Sequence, residues 1–255
     1  MIHVVILAAG KGTRMKSELP KVLHPVRGTP ILIRLLQNIS EICETPTLIV
    51  GHKAEMVIEA TDGKYNYIEQ KEQLGTGHAI MSAREELQKL GAKTIVVLPG
   101  DHPLVSYETV KRLVDNHAKS DAAVSLGTAK IKDGDPRLMI FNNYGRIIRN
   151  ASGHVERIVE FKDATPEERE VKEFNLSYYC FDAEWLWKNI DLLKNMNASH
   201  EYYLTDMVAI AKDQGRHVDS YVISEITECL GVNTPEQLKM VEDALDMQLD
   251  QVIVG

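Results

Sequence analysis

A chain of 255 residues, 44% hydrophobic and 26% charged, has the make-up of a soluble globular protein long enough to bury a substantial core. Its net charge of −8 argues against nucleic acid or an anionic membrane surface as the main partner, since both call for a net basic face. Three scattered cysteines with no CxxC, no signal peptide and no apolar run near the ~18 residues of a membrane span predict a cytoplasmic protein with reduced thiols.

The run HVVIL (3–7) is β-branched and ends at glycines, which predicts a strand buried on both faces. Thr29 and Pro30 fit the N-cap and first position of a helix in which Ile31, Leu32, Leu35, Leu36, Ile39 and Ile42 recur at helical spacing. Then come a strand at 47–50, a helix at 55–60, a strand at 65–68 and a helix at 78–90 with Gly91 at C′. A strand at 94–98 and a helix at 106–118 complete the alternation. Such an order predicts an α/β fold with a Rossmann-like, doubly wound, mostly parallel sheet.

Beyond about residue 121 the texture changes. The runs at 122–131, 137–141 (RLMIF), 145–150, 155–161 and 174–181 read as strands joined by turn-rich or charged loops. Helices are expected at 183–193 and 204–214, and a strand at 218–223. A closing helix at 234–245 has Thr234, Pro235 and Gln237 in N-cap, N1 and capping-box N3 positions. No repeat, low-complexity tract or glycine–serine linker intervenes. The expectation is one domain over 1–255 on a continuous mixed sheet, with a nucleotide half to about residue 120 and a substrate half after it.

The stretch LAAGKGTRMKSELPK (7–21) leaves the first strand at the edge where open α/β sheets bind ligands. Its alanines and glycines would let backbone N–H groups approach an anion closely. It is not a Walker A loop, which needs a glycine five residues before Gly-Lys-Ser/Thr. Nor is it a dinucleotide fingerprint, because Met15 stands where the third glycine belongs. What remains is a cationic loop: Arg14 can grip phosphate oxygens in a fork, and Lys21, after the restricting Pro20, supplies a point charge. Charge alone leaves a solvated basic surface equally open.

The segment 7–30, LAAGKGTRMKSELPKVLHPVRGTP, resembles the signature G-x-G-T-R-M-x(6)-P-K of the sugar nucleotidyltransferases. Within them it is similar to the pyrophosphorylase domain of the N-acetylglucosamine-1-phosphate uridyltransferases. The likeness recurs in order at EQLGTGHA (72–79), GDHPL (100–104), YGRIIR (144–149), VEFKDAT (159–165), EYYLTD (201–206) and GVN (231–233). It implies a nucleotide-diphospho-sugar transferase fold. The implied reaction is a magnesium-dependent transfer that makes UDP-N-acetylglucosamine and pyrophosphate from UTP and N-acetylglucosamine 1-phosphate.

A phosphate monoester is already largely ionised near neutrality, its second pKa being ~6, so the attacking group needs no general base. Holding two polyanions in line is the task, and it calls for cations. The resemblance assigns the triphosphate and its transition state to Arg14 and Lys21. It assigns nucleotide contacts to Leu7, Ala8, Ala9, Gly10, Gln70, Gly75, Thr76, Gly100 and Asp101. Gln70 carries both a donor and an acceptor for an alternating pyrimidine edge. The sugar falls to Gly145, Glu160, Asn175 and Asn233, with Asn175 able either to accept from an acetamido N–H or to donate to its carbonyl. Mg²⁺ falls to Asp101, just past a strand end, and Asn233, an oxygen pair that leaves other positions to phosphates and water. The nine histidines show no paired zinc spacing, and His24, His78 and His102 are expected to be structural, while EYYLTD is expected to shape the cleft and core rather than perform chemistry.

The chain departs from the family where Asn175-Leu176-Ser177 stands for Asn-Thr-Gly, where the approach to Tyr144-Gly145-Arg146 is longer, and where VNT replaces Val-Asn-Asn-Arg. A side chain in place of glycine is expected to reshape the sugar pocket. No hexapeptide repeats are present, so no acetyl transfer is expected, and a monomer or weak homo-oligomer follows. A transferase for another sugar 1-phosphate or nucleotide, and a nucleotide-sugar sensor without turnover, are the rival readings.

Overall fold

The computed structural model describes residues 1–254. Strand β1 (Ile2–Ala8) alternates Val4 and Ile6 to one face and Val5 to the other, all fully buried, so helices must cover both sides. A hairpin of β2 (Pro25–Val26) and β3 (Thr29–Pro30) leads into α1 (Ile31–Ile39). Then follow β4 (Thr47–Val50), α2 (Ala54–Ala60), β5 (Asn66–Glu69), α3 (Thr76–Lys89), β6 (Thr94–Pro99) and α4 (Tyr107–Lys119). The second half supplies β7 (Val124–Lys130), β8 (Arg146–Arg149), β9 (Val155–Val159), α5 (Pro166–Arg169) and β10 (Glu173–Asp182). It ends with α6 (Ala183–Asn189), α7 (Asp206–Asp213), β11 (Val218–Val222) and α8 (Pro235–Val254).

The main sheet runs β11-β7-β10-β6-β1-β4-β5, with β8 and β9 branching from β10. β6, β1, β4 and β5 are parallel, as is β11 beside β7, while β10 runs antiparallel to both β6 and β7. The sheet is therefore mixed and mostly parallel, and β10 splices the two halves into it. One core layer packs α1 and α4 against Val4, Ile6, Val96 and Leu98. The other packs α3, α6 and α7 against Val5, Ile95 and Val97. Cys180 and Cys229 are buried free thiols, and burial pushes both pKa values up.

Three sequence expectations need correction. RLMIF is not a strand: Pro136–Phe141 forms a 3-10 helix. Its first residue, a proline, has no N–H to give a ladder, and Asp135 Oδ1 caps the turn by accepting from the Arg137 N–H at 2.9 Å. Thr29 and Pro30 do not open α1 as N-cap and N1. They pair with β2, and the first helical N–H, of Ile31, donates instead to the His24 carbonyl at 3.0 Å. The capping box of α8 is half formed. The Gln237 N–H donates to Thr234 Oγ1 at 3.3 Å, but its side chain accepts from Asn233 N–H at 2.8 Å, one residue earlier than the motif requires. Gly91, at φ +64, closes α3 as expected.

Candidate active site

A cleft of ≈700 Å³ opens at the carboxyl ends of β1 and β6. One wall is the loop after β1. Gly12 sits at φ +61, and a Cβ there would lie 2.7 Å from Lys21 Cβ, so only glycine lets the loop fold against Pro20–Lys21. Thr13–Met15 makes one 3-10 turn that plugs Met15 into the core while Thr13 and Arg14 stay exposed. The turn thus holds a guanidinium outward on a buried methionine anchor.

Four side chains distant in sequence meet there. Lys21 Nζ donates to Asp101 Oδ2 at 2.5 Å and to Asn233 Oδ1 at 2.8 Å, and Arg14 Nη2 donates to the same Asn233 oxygen at 3.1 Å. Burial tends to raise the Asp101 pKa, but the Lys21 charge, with help from His102 and from hydrogen bonds, holds the carboxyl below its ordinary value. Asp101 follows β6 directly, and its carbonyl accepts from Val232 N–H at 2.9 Å, which straps the Asn233 segment alongside. The two oxygens already converge on one cationic centre, Nζ. A carboxylate and a neutral amide oxygen suit a hard divalent cation that takes its other ligands from phosphates and water. Among the described residues no group of three or more His, Cys, Asp or Glu gathers to hold a metal by itself.

His102 backs this centre. Buried beneath it, its imidazole pKa is pushed down to about 4 by burial, so the ring is neutral. Tyr178 donates to the Glu228 carbonyl at 2.8 Å, so His102 Nδ1–H donates to the Tyr178 oxygen at 2.6 Å, leaving Nε2 as an acceptor near Tyr144 Oη at 3.5 Å. The Tyr144 oxygen in turn accepts from Gly231 N–H at 3.1 Å. The expected structural role of His102 is what the geometry supports.

The loop 70–77 lines the cleft as well, through Gln70, Gln73, Gly75 and Thr76. Gln70 is buried, and its amide donates to the Gly75 carbonyl at 3.0 Å and lies 3.1 Å from His78 Nδ1. With both hydrogens committed, it can offer a ligand only the acceptor Oε1, not the donor-and-acceptor pair expected from sequence. Gly75 adopts φ +104, where a Cβ would sit 2.6 Å from the Tyr202 carbonyl. That close packing, with Gly77 N–H donating to Tyr202 O and Tyr202 N–H to Leu74 O, both at 2.7 Å, locks residues 201–205 onto the start of α3.

Gly145, Glu160 and Asn175 also line the cleft, with Asn175 N–H donating to the Gly145 carbonyl at 2.9 Å. Burial pushes the Glu160 carboxyl up to about 7, with Asp206, Asp163 and Glu201 adding to the shift and the nearby Thr205 hydroxyl opposing it. Asp206 itself is raised to about 6 by burial and by Asp163. Thr205 Oγ1 is buried and lacks a partner of good geometry.

The cleft gathers every sequence-designated residue except Gly100, which does not line it. Gly100 N–H donates to Leu7 O at 2.9 Å, and a Cβ would meet that oxygen at 2.8 Å, so glycine at this position lets β6 close on β1. Ser177 lines the cleft, as the departure at 176–177 predicts, and so does Tyr179, which no sequence motif singled out. Glu201, Tyr203, Leu204 and Thr205 line it as well, from the EYYLTD motif expected to shape the cleft and core. Both residues of the 176–177 departure line the cleft, Leu176 as a core residue at 1% exposure and Ser177 as a half-buried one.

Residues 4–164 match the MobA-like NTP transferase domain. Relatives include proteins named bifunctional protein GlmU. That of Streptococcus thermophilus is 42% identical over 252 residues, covering 98% of this chain and 53% of the relative. That of Geobacillus thermodenitrificans is 45% identical over 232 residues, covering 91% and 49%. The chain spans about half the length of the curated relatives it matches. A solved structure from Bacillus anthracis, described as a glucose-1-phosphate thymidylyltransferase in complex with a sucrose, superposes with a TM-score of 0.72. At 18% identity, over 96% of this chain and 95% of that one, the superposition establishes a shared fold.

Proposed function

The chain belongs to the MobA-like NTP transferase family, and on that premise we propose that it joins a sugar 1-phosphate to the α-phosphorus of a nucleoside triphosphate. The pair is UTP and N-acetylglucosamine 1-phosphate, and the products are UDP-N-acetylglucosamine and pyrophosphate. The observation that carries this reading is the convergence of Arg14, Lys21, Asp101 and Asn233 at the carboxyl edge of β1 and β6. Two cations and two oxygen donors at one point suit a polyanion that arrives with a divalent metal.

In this reading an ionised phosphate oxygen of the sugar 1-phosphate attacks the α-phosphorus in line, and the bond to the pyrophosphate oxygen breaks. Arg14 and Lys21 bind the triphosphate and offset the charge that spreads over the transferring phosphorus. A magnesium ion, when bound to Asp101 and Asn233, supplies further neutralisation of the phosphates. Backbone groups of Leu7–Gly10 and Gly75–Thr76 bracket the base, and Gln70 Oε1 accepts from a pyrimidine ring N–H. Glu160, Asn175 and the backbone at Gly145 hold the sugar. Residues to about 120 serve the nucleotide and the rest the sugar, within one domain, and the substrates are small molecules of the cytoplasm met by a monomer or weak homo-oligomer. No helix among the described residues is long and apolar enough to cross a membrane.

The Leu176–Ser177 departure is the feature that favours a different sugar. Pyrophosphate release across four nucleoside triphosphates and a panel of sugar 1-phosphates decides. Highest kcat/KM for UTP with N-acetylglucosamine 1-phosphate supports the reading. A faster pairing replaces the substrate, and nucleotide binding with no pyrophosphate under any pairing overturns transfer in favour of a sensor.

A further inference from the structure

Ser177 stands in the middle of β10 at φ +60, where the register against β7 slips between Asn175 and Tyr178. Left-handed backbone penalises a residue with a Cβ and scarcely penalises glycine, so strain of this kind persists where a side chain has a use. The core does not need that side chain: Leu176 and Tyr178 on either side fill it at 1% exposure each, while Ser177 turns into the cleft.

The hydrogen bonds around it settle which atoms are free. Asn175 Oδ1 accepts from Ser177 N–H at 3.1 Å and from the Tyr179 hydroxyl at 3.0 Å, so both lone pairs are used. Asn175 can therefore meet a ligand only as a donor, through Nδ2. One Nδ2 hydrogen faces Ser177 Oγ at 3.4 Å, a long contact that leaves a lone pair of Oγ available. The bulge thus sets one donor and one acceptor side by side in the cleft, next to Gly145, whose carbonyl accepts from Asn175 N–H at 2.9 Å, and near Glu160.

We propose that Ser177 is a specificity-determining residue that reads the sugar: Oγ accepts a hydrogen bond from an O–H or acetamido N–H of the bound pyranose, while the adjacent Asn175 Nδ2 donates to a sugar oxygen. This rests on the nucleotide-sugar reading above and deepens it. The test is calorimetric titration of UDP, UDP-glucose and UDP-N-acetylglucosamine, in magnesium buffer, into the wild type, Ser177→Ala and Ser177→Gly. Alanine deletes the hydroxyl alone, and glycine deletes it while relieving the strained φ, so agreement between the two excludes backbone strain as the cause. Both variants are expected to bind UDP as the wild type does and UDP-N-acetylglucosamine about fivefold more weakly, the scale of one neutral hydrogen bond. An equal loss for UDP-glucose identifies a ring hydroxyl as the donor, and a loss confined to the acetamido sugar identifies its N–H; either outcome supports the assignment. Unchanged affinity for both sugar nucleotides, or an equal loss for UDP itself, overturns it and leaves nucleotidyl transfer standing. A wild type that binds none of the three probes brings down the uridylyl reading and this assignment with it.

Discussion

Replacing Lys21 by alanine removes the cation on which both sides of the cleft converge. Nζ lies 2.5 Å from Asp101 Oδ2, and the two side chains are only 15% and 14% exposed, so solvent screens this charge weakly. In the proposed reaction the same ammonium faces the triphosphate. Loss of one preorganised donor to developing charge lowers turnover by about 10²–10³-fold, roughly 2.7–4 kcal/mol. We expect kcat for pyrophosphate release to fall at least ~100-fold, with KM for the sugar 1-phosphate changed by less than about threefold. Stability carries a second signature. Asp101 has a folded pKa held below the ordinary 3.8, so its contribution to folding is present above that value and is lost as pH falls through the folded pKa. Without Lys21, only His102 and a backbone hydrogen bond oppose the effect of burial on the carboxyl, and most of that contribution disappears. Melting curves of the two proteins should therefore differ most near neutrality and converge in acid below 3.8. A Lys21→Ala enzyme that turns over within about tenfold of the wild type refutes the electrostatic argument.

Gln237→Ala frees the Asn233 backbone N–H from the side chain that accepts it at 2.8 Å. The magnesium concentration for half-maximal turnover should rise about 10-fold or more, as when other supports behind a metal ligand are lost. Glu160 titrates near 7 in the folded state. Its raised pKa means its share of stability is complete below the ordinary 4.5 and is lost as pH rises through about 7, so Glu160→Gln should melt at a higher temperature than the wild type at pH 8 but not at pH 4.5. If the carboxylate accepts a sugar hydroxyl, the wild-type KM for the sugar 1-phosphate should also fall across that range, and the Gln variant should lack this component. Gly75→Ala would drive a Cβ to 2.6 Å from Tyr202 O at φ +104. It should destabilise the protein by about 1–3 kcal/mol in denaturant titrations and raise the KM for UTP, because residues 201–205 must move off α3.

How much of this was legible in the chain depends on how local the controlling physics is. The strands at 3–7, 47–50 and 94–98 and the helix closed by Gly91 are governed by near neighbours, and they appear where the pattern predicts. RLMIF failed because a run of four apolar residues carries no period, and a capping aspartate with a following proline outweighed its hydrophobicity. Gly100 looked like a ligand contact because it sits in a motif, yet its need for space arises from Leu7, ninety-odd residues earlier and on the adjacent strand. Gln237 looked like a simple capping residue, and only its reach to Asn233 shows a second task.

Sequence by itself determined the fold class, the cationic loop and the residue types able to handle a nucleotide and a metal, because hydrophobic period, turn chemistry and motif order are properties of contiguous residues. Tertiary structure alone decided that Lys21, Asp101 and Asn233 share one point, that Asn175 and Gln70 each face the cleft with one hydrogen-bonding role rather than two, and that Ser177 lines the cleft from a left-handed bulge in β10. Those outcomes rest on which lone pairs and N–H groups other strands have already taken, and partners up to 212 positions apart in the chain leave no trace in local pattern.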